Sequence, residues 1–116
     1  MSHDIKELQA ALRRFADERD WGQFHSPKNL AVSLSLEAAE VLEHFQWLND
    51  EQSRDLDDAR RQAVAHEIAD VLLYLLQLSD RLGIDPMQAA REKLAVNAER
   101  YPADKARGTS RKYTEL

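Results

Sequence analysis

The sequence predicts an all-α fold, and three observations indicate it. Apolar residues recur at three- and four-residue steps along most of the chain, which is the spacing of one helix face. Only three Gly and three Pro occur among 116 residues, so few turns are available. No stretch alternates apolar and polar residues as a strand does. At this length we expect a single domain over residues 1–116.

The first two helices follow from apolar spacing and from start signals. The first is predicted over residues 4–18, on the stripe Ile5, Leu8, Leu12 and Phe15. An aromatic-rich loop over residues 21–27 interrupts that pattern. Ser26 and Pro27 are typical of a helix entry, so the second helix is predicted over residues 28–47.

The third helix is the most apolar segment of the chain. After a polar, acidic loop over residues 49–58 it is predicted over residues 59–82, with Gly83 ending it. Its apolar residues cover more than one face. Because a helix with so wide an apolar arc must be buried on several sides, we expect a subunit interface in a homo-oligomer.

The fourth helix is predicted from Asp85, as its N-cap, and Pro86, at its first position, to residue 100. Residues 103–116 have no periodicity and a local excess of basic residues, and they are predicted to form a C-terminal tail. We find no repeat and no interdomain linker in the sequence.

Composition excludes several functional classes. The absence of Cys removes disulfides, thiolate metal sites and cysteine nucleophiles. A formal net charge of −5 argues against a nucleic-acid or anionic-membrane surface, since such partners attract basic proteins. The beginning of the sequence is not apolar, and the longest apolar run has six residues, whereas a membrane helix needs about 20. We therefore predict a cytoplasmic protein.

Two pairs of acidic residues carry the chemistry. Glu37 and Glu40 lie three apart on the second helix, and Glu67 and Asp70 lie three apart on the third, so each pair shares a helix face. Glu37 and Glu67 fall within apolar stripes, where an unpaired carboxylate is costly and requires a proton or a cation. Oxygen ligands of this kind suit Mg²⁺ or Mn²⁺, whereas helical di-iron sites place His at the i+3 positions. The alternative is that the four acids are solvated surface residues.

The surroundings of these acids indicate a polyphosphate ligand. Tyr74 lies one turn after Asp70, and the fourth helix carries a polar, basic stripe of Lys93, Asn97 and Arg100. A divalent cation with basic residues would bind phosphates, and the aromatic residues Trp21, Phe24, His25 and Trp47 would contact a base. Taken one at a time, the aromatic residues are also compatible with the core, and the basic stripe with a solvated surface.

Specific blocks of sequence resemble the MazG-like nucleoside triphosphate pyrophosphohydrolases. Glu37-Ala38-Ala39-Glu40, followed by Glu67-Ile68-Ala69-Asp70, is similar to the split acidic motif of that family. Further blocks resemble its dCTP pyrophosphatase branch more closely. These are Arg19-Asp20-Trp21-x-Gln23-Phe24-His25, Phe45-Gln46-Trp47, Asp70-Val71-Leu72-x-Tyr74, Asn97-x-x-Arg100-Tyr101-Pro102 and the tail Arg107-Gly108-x-x-x-Lys112-Tyr113-Thr114. Where the broader motif begins with two adjacent Glu, this chain has Leu36 at the first position.

The resemblance implies a four-helix-core, all-α fold in a homo-oligomer, commonly a tetramer built from dimers. It implies Mg²⁺-dependent hydrolysis of a nucleoside triphosphate, most closely dCTP or a modified dCTP, to the monophosphate and pyrophosphate. Glu37, Glu40, Glu67 and Asp70 would bind the metal, and either Glu37 or Glu40 would be the general base. The remaining site residues divide into a nucleoside pocket of Trp21, His25, Trp47 and Tyr74 and a phosphate-contacting set of Lys93, Asn97, Lys112 and Tyr113.

Two other functions remain open from the sequence. One is a pyrophosphatase that acts on dUTP or on noncanonical triphosphates, because stacking on aromatic residues tolerates any base. The other is a helical dimerisation module that binds a nucleotide without hydrolysing it. A DNA-binding role is disfavoured by the net charge and by the lack of a basic recognition helix.

Overall fold

The computed structural model describes residues 3–116, and in this range the protein is helical without any strand. This confirms the predicted all-α class. The helices, in chain order, are α1 His3–Glu18, α2 Pro27–Glu43, α3 Asp50–Ser53, α4 Asp58–Arg81, α5 Pro86–Arg100 and α6 Ala103–Ala106. Two single turns of 3₁₀ helix lie at Gly22–Phe24 and Tyr113–Glu115.

The predicted start and stop signals act where the sequence places them. The Ser26 hydroxyl accepts a hydrogen bond from the Asn29 N–H at 3.2 Å at the start of α2, with Pro27 as the first helical residue. The end of α4 is closed by Gly83, whose φ of 65° allows the next N–H, that of Ile84, to bond back into the helix at 2.9 Å. Local side-chain and backbone chemistry therefore determines these helix ends.

Two segments differ from the sequence prediction. Helix α2 ends at Glu43 and not at residue 47, because the Leu42 carbonyl accepts hydrogen bonds from both Phe45 and Gln46, at 2.8 and 2.9 Å, and tightens the last turn. Helix α3 forms inside the predicted acidic loop. A capping box between Asn49 and Gln52 satisfies its first N–H groups, so four residues suffice for one helical turn.

The core lies along α4, which packs extensively against α2 and less extensively against α1. Leu30 of α2 and Leu76 of α4 are each only 1% exposed. The amide of the buried Gln9 donates to the Leu76 carbonyl at 3.0 Å, and Arg13 pairs with Asp80 at 2.7 Å. Side-chain polar contacts thus fix the position of α1 on α4.

Helix α5 does not pack extensively on the other described helices, and the chain is extended as a result. Its radius of gyration is 17.7 Å, whereas a compact chain of this length has about 13 Å. Trp47 is 87% exposed and Leu94 is 71% exposed. Further exposed apolar residues of α2 and α4 are Leu36, Leu42, Ile68, Leu72 and Leu75. Among the helices of residues 3–116, none has the length and apolar character needed to cross a membrane.

Candidate active site

The packing of α2 on α4 brings three of the predicted acids together. Glu37 of α2 and Glu67 and Asp70 of α4 each place a carboxylate oxygen within 4.8 Å of the other two. All three residues are half-buried. The carboxylate of Glu40, one turn after Glu37, lies where it can accept a hydrogen bond from Glu37 or from Glu67 when either of these is protonated. We call these four residues the acidic cluster.

Hydrogen bonding to Glu40, burial and mutual repulsion together make the acidic cluster retain a proton. The hydrogen bond to Glu40, followed by burial and by the charges of the neighbouring acids, raises the pKa of Glu37 from 4.5 to about 7. The pKa of Glu67 is raised first by its own hydrogen bond to Glu40, then by burial and nearby carboxylates, and His44 opposes the shift in part. Near neutral pH the protein without metal therefore holds a carboxylic acid among its carboxylates.

The donor set of the cluster fits a hard divalent cation. One oxygen each of Glu37 and Glu67, Oε2 in both cases, is buried without a hydrogen-bond partner in the described chain. None of the ion pairs within residues 3–116 involves an acid of the cluster. Buried carboxylate oxygens are normally paired, and oxygen-only ligand sets of like charge are those of Mg²⁺ and Mn²⁺ sites. The residues present thus match the metal that the sequence predicts.

A cleft of about 380 Å³ adjoins the acidic cluster. Asp70 belongs both to the cluster and to the wall of the cleft. Trp21, His25 and Tyr74, three of the four residues predicted to contact a nucleoside, also line it. The Trp21 and His25 rings meet edge to face with centroids 6.5 Å apart. The structure therefore joins the acidic cluster to an aromatic cleft through one shared residue.

The position of Trp21 is determined by the way α1 ends. Asp20 adopts a left-handed conformation with a φ of 55°, which Asp tolerates better than most residues do. The Trp21 N–H then turns back to the Ala16 carbonyl at 2.9 Å, and its ring packs on the edge of Phe15 with centroids 5.6 Å apart. The loop that follows is held by the Asn29 amide, which donates to the Phe24 carbonyl at 2.9 Å.

Five of the eight residues predicted to bind the substrate do not line this cleft in the single chain. Trp47 projects into solvent after α2, and Lys93 and Asn97 lie on α5. The ring of Tyr113, in the tail, instead contacts the Tyr101 ring, with the two centroids 5.9 Å apart. The guanidinium of Arg100 lies 4.8 Å from the centroid of the Tyr113 ring. The fifth of these residues, Lys112, is exposed beside Tyr113. Their role in binding substrate stays a prediction.

The structure also adds lining residues that the sequence did not identify. Helix α1 forms one wall of the cleft through Leu8, Ala11, Leu12 and Phe15. In the sequence these residues have the spacing of an ordinary amphipathic helix, which does not distinguish a core face from a cleft wall. Gln77 of α4 lines the cleft as well. Its signal was available, since it lies seven residues after Asp70 and hence on the same helix face.

Comparison with known proteins is consistent with this geometry. A model of the MazG-like family matches residues 32–116. Over 115 residues the chain is 44% identical to dCTP pyrophosphatase 1 of Homo sapiens and 42% identical to that of Mus musculus. Both matches cover 97% of this chain but only 66% of the relative's length. A crystal structure of a pyrophosphatase from Archaeoglobus fulgidus is similar with a TM-score of 0.82 and 45% identity, covering 88% of this chain and 95% of that one.

Proposed function

The chain belongs to the MazG-like family, and from that premise we propose that it is a metal-dependent nucleoside triphosphate pyrophosphohydrolase. Its preferred substrate is dCTP or a base-modified dCTP, which it converts to the monophosphate and pyrophosphate. The observation that carries this proposal is the shared position of Asp70 in the acidic cluster and in the aromatic cleft. The similarity to dCTP pyrophosphatase 1 over 97% of this chain supports the choice of base.

Glu37, Glu67 and Asp70 hold the metal ion, Mg²⁺ or Mn²⁺, because their carboxylate oxygens converge within 4.8 Å. When bound, a divalent cation neutralises triphosphate oxygens and lowers the pKa of a bound water. The cluster therefore recruits a polyanion to a chain whose own net charge is −5.

Glu40 is the residue best placed to move a proton. It lies outside the three-residue group but can accept a hydrogen bond from the protonated form of Glu37 or of Glu67. As general base it accepts a proton from the attacking water, while the neighbouring carboxylates keep that water oriented. Glu37, the other candidate general base from the sequence, is assigned to the metal.

The cleft orients the nucleoside. With the phosphates at the Asp70 end, the sugar and base extend along Tyr74 and meet the Trp21 ring, whose packing on Phe15 fixes its plane. The α1 wall is apolar, so water is excluded from the base and the sugar. Binding in this way positions the α-phosphate for attack without any covalent nucleophile from the protein.

A second copy of the chain completes the site. The large radius of gyration and the exposed apolar residues of α4 and α5 mark a surface that a partner helix would cover. In such a homo-oligomer, a dimer or a tetramer, the predicted phosphate-contacting residues Lys93, Asn97, Lys112 and Tyr113, and the aromatic Trp47, reach the cleft of a neighbouring copy. The cytoplasmic location predicted from the sequence stays a prediction.

A panel of triphosphates tests the proposed activity. The protein is incubated with Mg²⁺ and with canonical and base-modified triphosphates, and the products are separated by chromatography. We expect dCMP and pyrophosphate from dCTP, and loss of that activity in Asp70→Asn but not in Asp58→Asn, an exposed control in the first turn of α4. Equal rates for all bases would favour the broad-specificity alternative, whereas binding without any monophosphate would favour the non-catalytic module.

Mixing two inactive variants tests the shared site. Asp70→Asn removes a cluster carboxylate, and Lys93→Ala removes a predicted phosphate contact on α5. If a site combines residues of two copies, hybrid oligomers contain some sites with neither substitution, and mixing the variants restores part of the activity. Light scattering of the unsubstituted protein gives the oligomeric state independently. A monodisperse monomer with full activity would contradict the shared site.

A further inference from the structure

Gln77 lies on the same wall of the cleft as Asp70, two helical turns further along α4. Residues seven apart share a helix face, and the rise per residue places them about 10 Å apart along the axis. Tyr74 lies between them, four residues after Asp70. One face of α4 thus runs from the acidic cluster, past an aromatic ring, to a carboxamide. A nucleoside extends over a distance of that order.

The orientation of the Gln77 carboxamide follows from its one hydrogen bond. Its Nε2 donates to the Leu73 carbonyl at 3.3 Å. Because a carbonyl oxygen only accepts, the amide nitrogen must face Leu73, and the amide cannot be reversed without losing the bond. Within the described chain Oε1 accepts no hydrogen bond. Gln77 is therefore a half-buried side chain with its acceptor unused.

We propose that Gln77 is a specificity-determining residue whose Oε1 accepts a hydrogen bond from the exocyclic amino group of cytosine. This inference rests on the proposed function, since phosphates at the Asp70 end direct the base towards Gln77. Uracil and thymine carry a carbonyl where cytosine carries its amino group. With uracil or thymine, Gln77 Oε1 and the base carbonyl would face each other as two acceptors, and neither would have a hydrogen-bond donor. Leaving both unpaired is what makes a polar site discriminate strongly against these bases.

The other polar residues of the cleft are less suited to this selection. His25 offers a donor or an acceptor according to its tautomer, and the Tyr74 hydroxyl can rotate to serve as either. Neither group is held by a hydrogen bond within residues 3–116. Apart from Asp70 at the phosphate end, Gln77 is thus the one cleft residue among those the structure describes that presents a defined acceptor, since its second contact determines which amide atom is free.

The substitution Gln77→Met tests the inference because it keeps an unbranched side chain of similar length while removing the acceptor. We expect the ratio of kcat/KM for dCTP to that for dUTP to fall about tenfold or more, since one hydrogen bond to a base is removed. The ratio falls because kcat/KM for dCTP decreases, whereas kcat/KM for dUTP stays unchanged or increases. Gln62→Met is the matched control, because Gln62 is exposed on the same helix and, within residues 3–116, its side chain bonds only His66. It should leave the ratio unchanged.

A second variant and a binding measurement keep the test decisive. Gln77→Ala should lower the same ratio, so poor folding of the methionine variant would not obscure the result. Calorimetry with the α,β-imido analogues of dCTP and dUTP requires no turnover, and it should show the same loss of preference in both variants. An unchanged preference would overturn the role of Gln77 while leaving the hydrolase assignment intact. Absence of hydrolysis in the unsubstituted protein, with cytosine preference retained in binding, would overturn only the proposed activity.

Discussion

Replacing Glu37 by glutamine is expected to stabilise the protein without metal and to abolish its catalysis. The protonated carboxyl of Glu37 donates a hydrogen bond to Glu40, and a glutamine amide can donate the same bond without ever carrying a charge. As the pH rises above 7, where Glu37 of the unsubstituted protein loses its proton, the substitution thus removes one negative charge from a cluster that contains three other acids. It also removes a ligand from the proposed metal site, so pyrophosphate release should fall to background.

The size and the pH dependence of this gain follow from the pKa of Glu37. Folding raises that pKa from 4.5 to about 7, so the stability that the folded-state proton provides is fully present below 4.5 and is lost as the pH rises through 7. One pKa unit corresponds to about 1.4 kcal/mol of stability. Because solvent screens the half-buried Glu37, we expect the raised pKa to contribute only about 1–2 kcal/mol to the free energy of unfolding. The variant should therefore match the unsubstituted protein at acidic pH and exceed it in stability by this amount at alkaline pH.

Urea denaturation in EDTA measures the effect, at one protein concentration because the chain is expected to assemble. Urea midpoints are compared for the unsubstituted protein, Glu37→Gln and the exposed control Glu43→Gln. Each is measured at an acidic pH below 4.5 and at an alkaline pH above 7. Adding Mg²⁺ should raise the midpoint of the unsubstituted protein more than that of Glu37→Gln. A gain of equal size at both pH values, or none at alkaline pH, would refute the argument that the acidic cluster retains a proton.

Three further predictions concern the fold and the cleft. Leu30→Ala should lower the free energy of unfolding by about 2–5 kcal/mol in urea titration, since Leu30 is 1% exposed and its truncation leaves a cavity. Val32→Ala, at an exposed position on the same helix, should lower that free energy much less. Gly83→Ala should lower the free energy of unfolding by about 1 kcal/mol in the same assay, because the φ of 65° is unfavourable for alanine while the added methyl group itself meets no atom within 4 Å. No change in stability would show that α4 can end differently. Trp21→Ala should raise the KM for dCTP roughly tenfold and Trp21→Phe much less, because an aromatic face is what the base contacts; an unchanged KM would remove Trp21 from the pocket.

The four long helices, α1, α2, α4 and α5, could be predicted because their signals are local. Ser26, Gly83 and Asp85 act on backbone groups within a few residues, so their effect can be inferred without knowing the fold. The end of α2 could not be inferred in this way. No Gly or Pro marks residue 43, and the tightening of that turn depends on competition for one carbonyl, that of Leu42.

The candidate site was predictable only in part. The i, i+3 pairing of the acids and their place in apolar stripes follow from helix geometry, and the structure adds that Glu37, Glu67 and Asp70 meet. That α1 would form the opposite wall of the cleft was not predictable, since a core face and a cleft wall have the same pattern. The role proposed for Gln77 could be inferred only after the structure had placed this residue on the cleft wall.

By itself, the sequence determined where the four long helices lie, which acids share a helix face and that no thiolate ligand is available, because these properties depend on spacing within one helix and on composition. The tertiary structure alone decided which helix faces meet. Gln9 and Leu76, which join α1 to α4, are 67 positions apart, and no short-range pattern encodes such a contact. The same packing made Asp70 common to the acidic cluster and the cleft, placed Gln77 on the cleft wall and left apolar residues of α4 and α5 exposed.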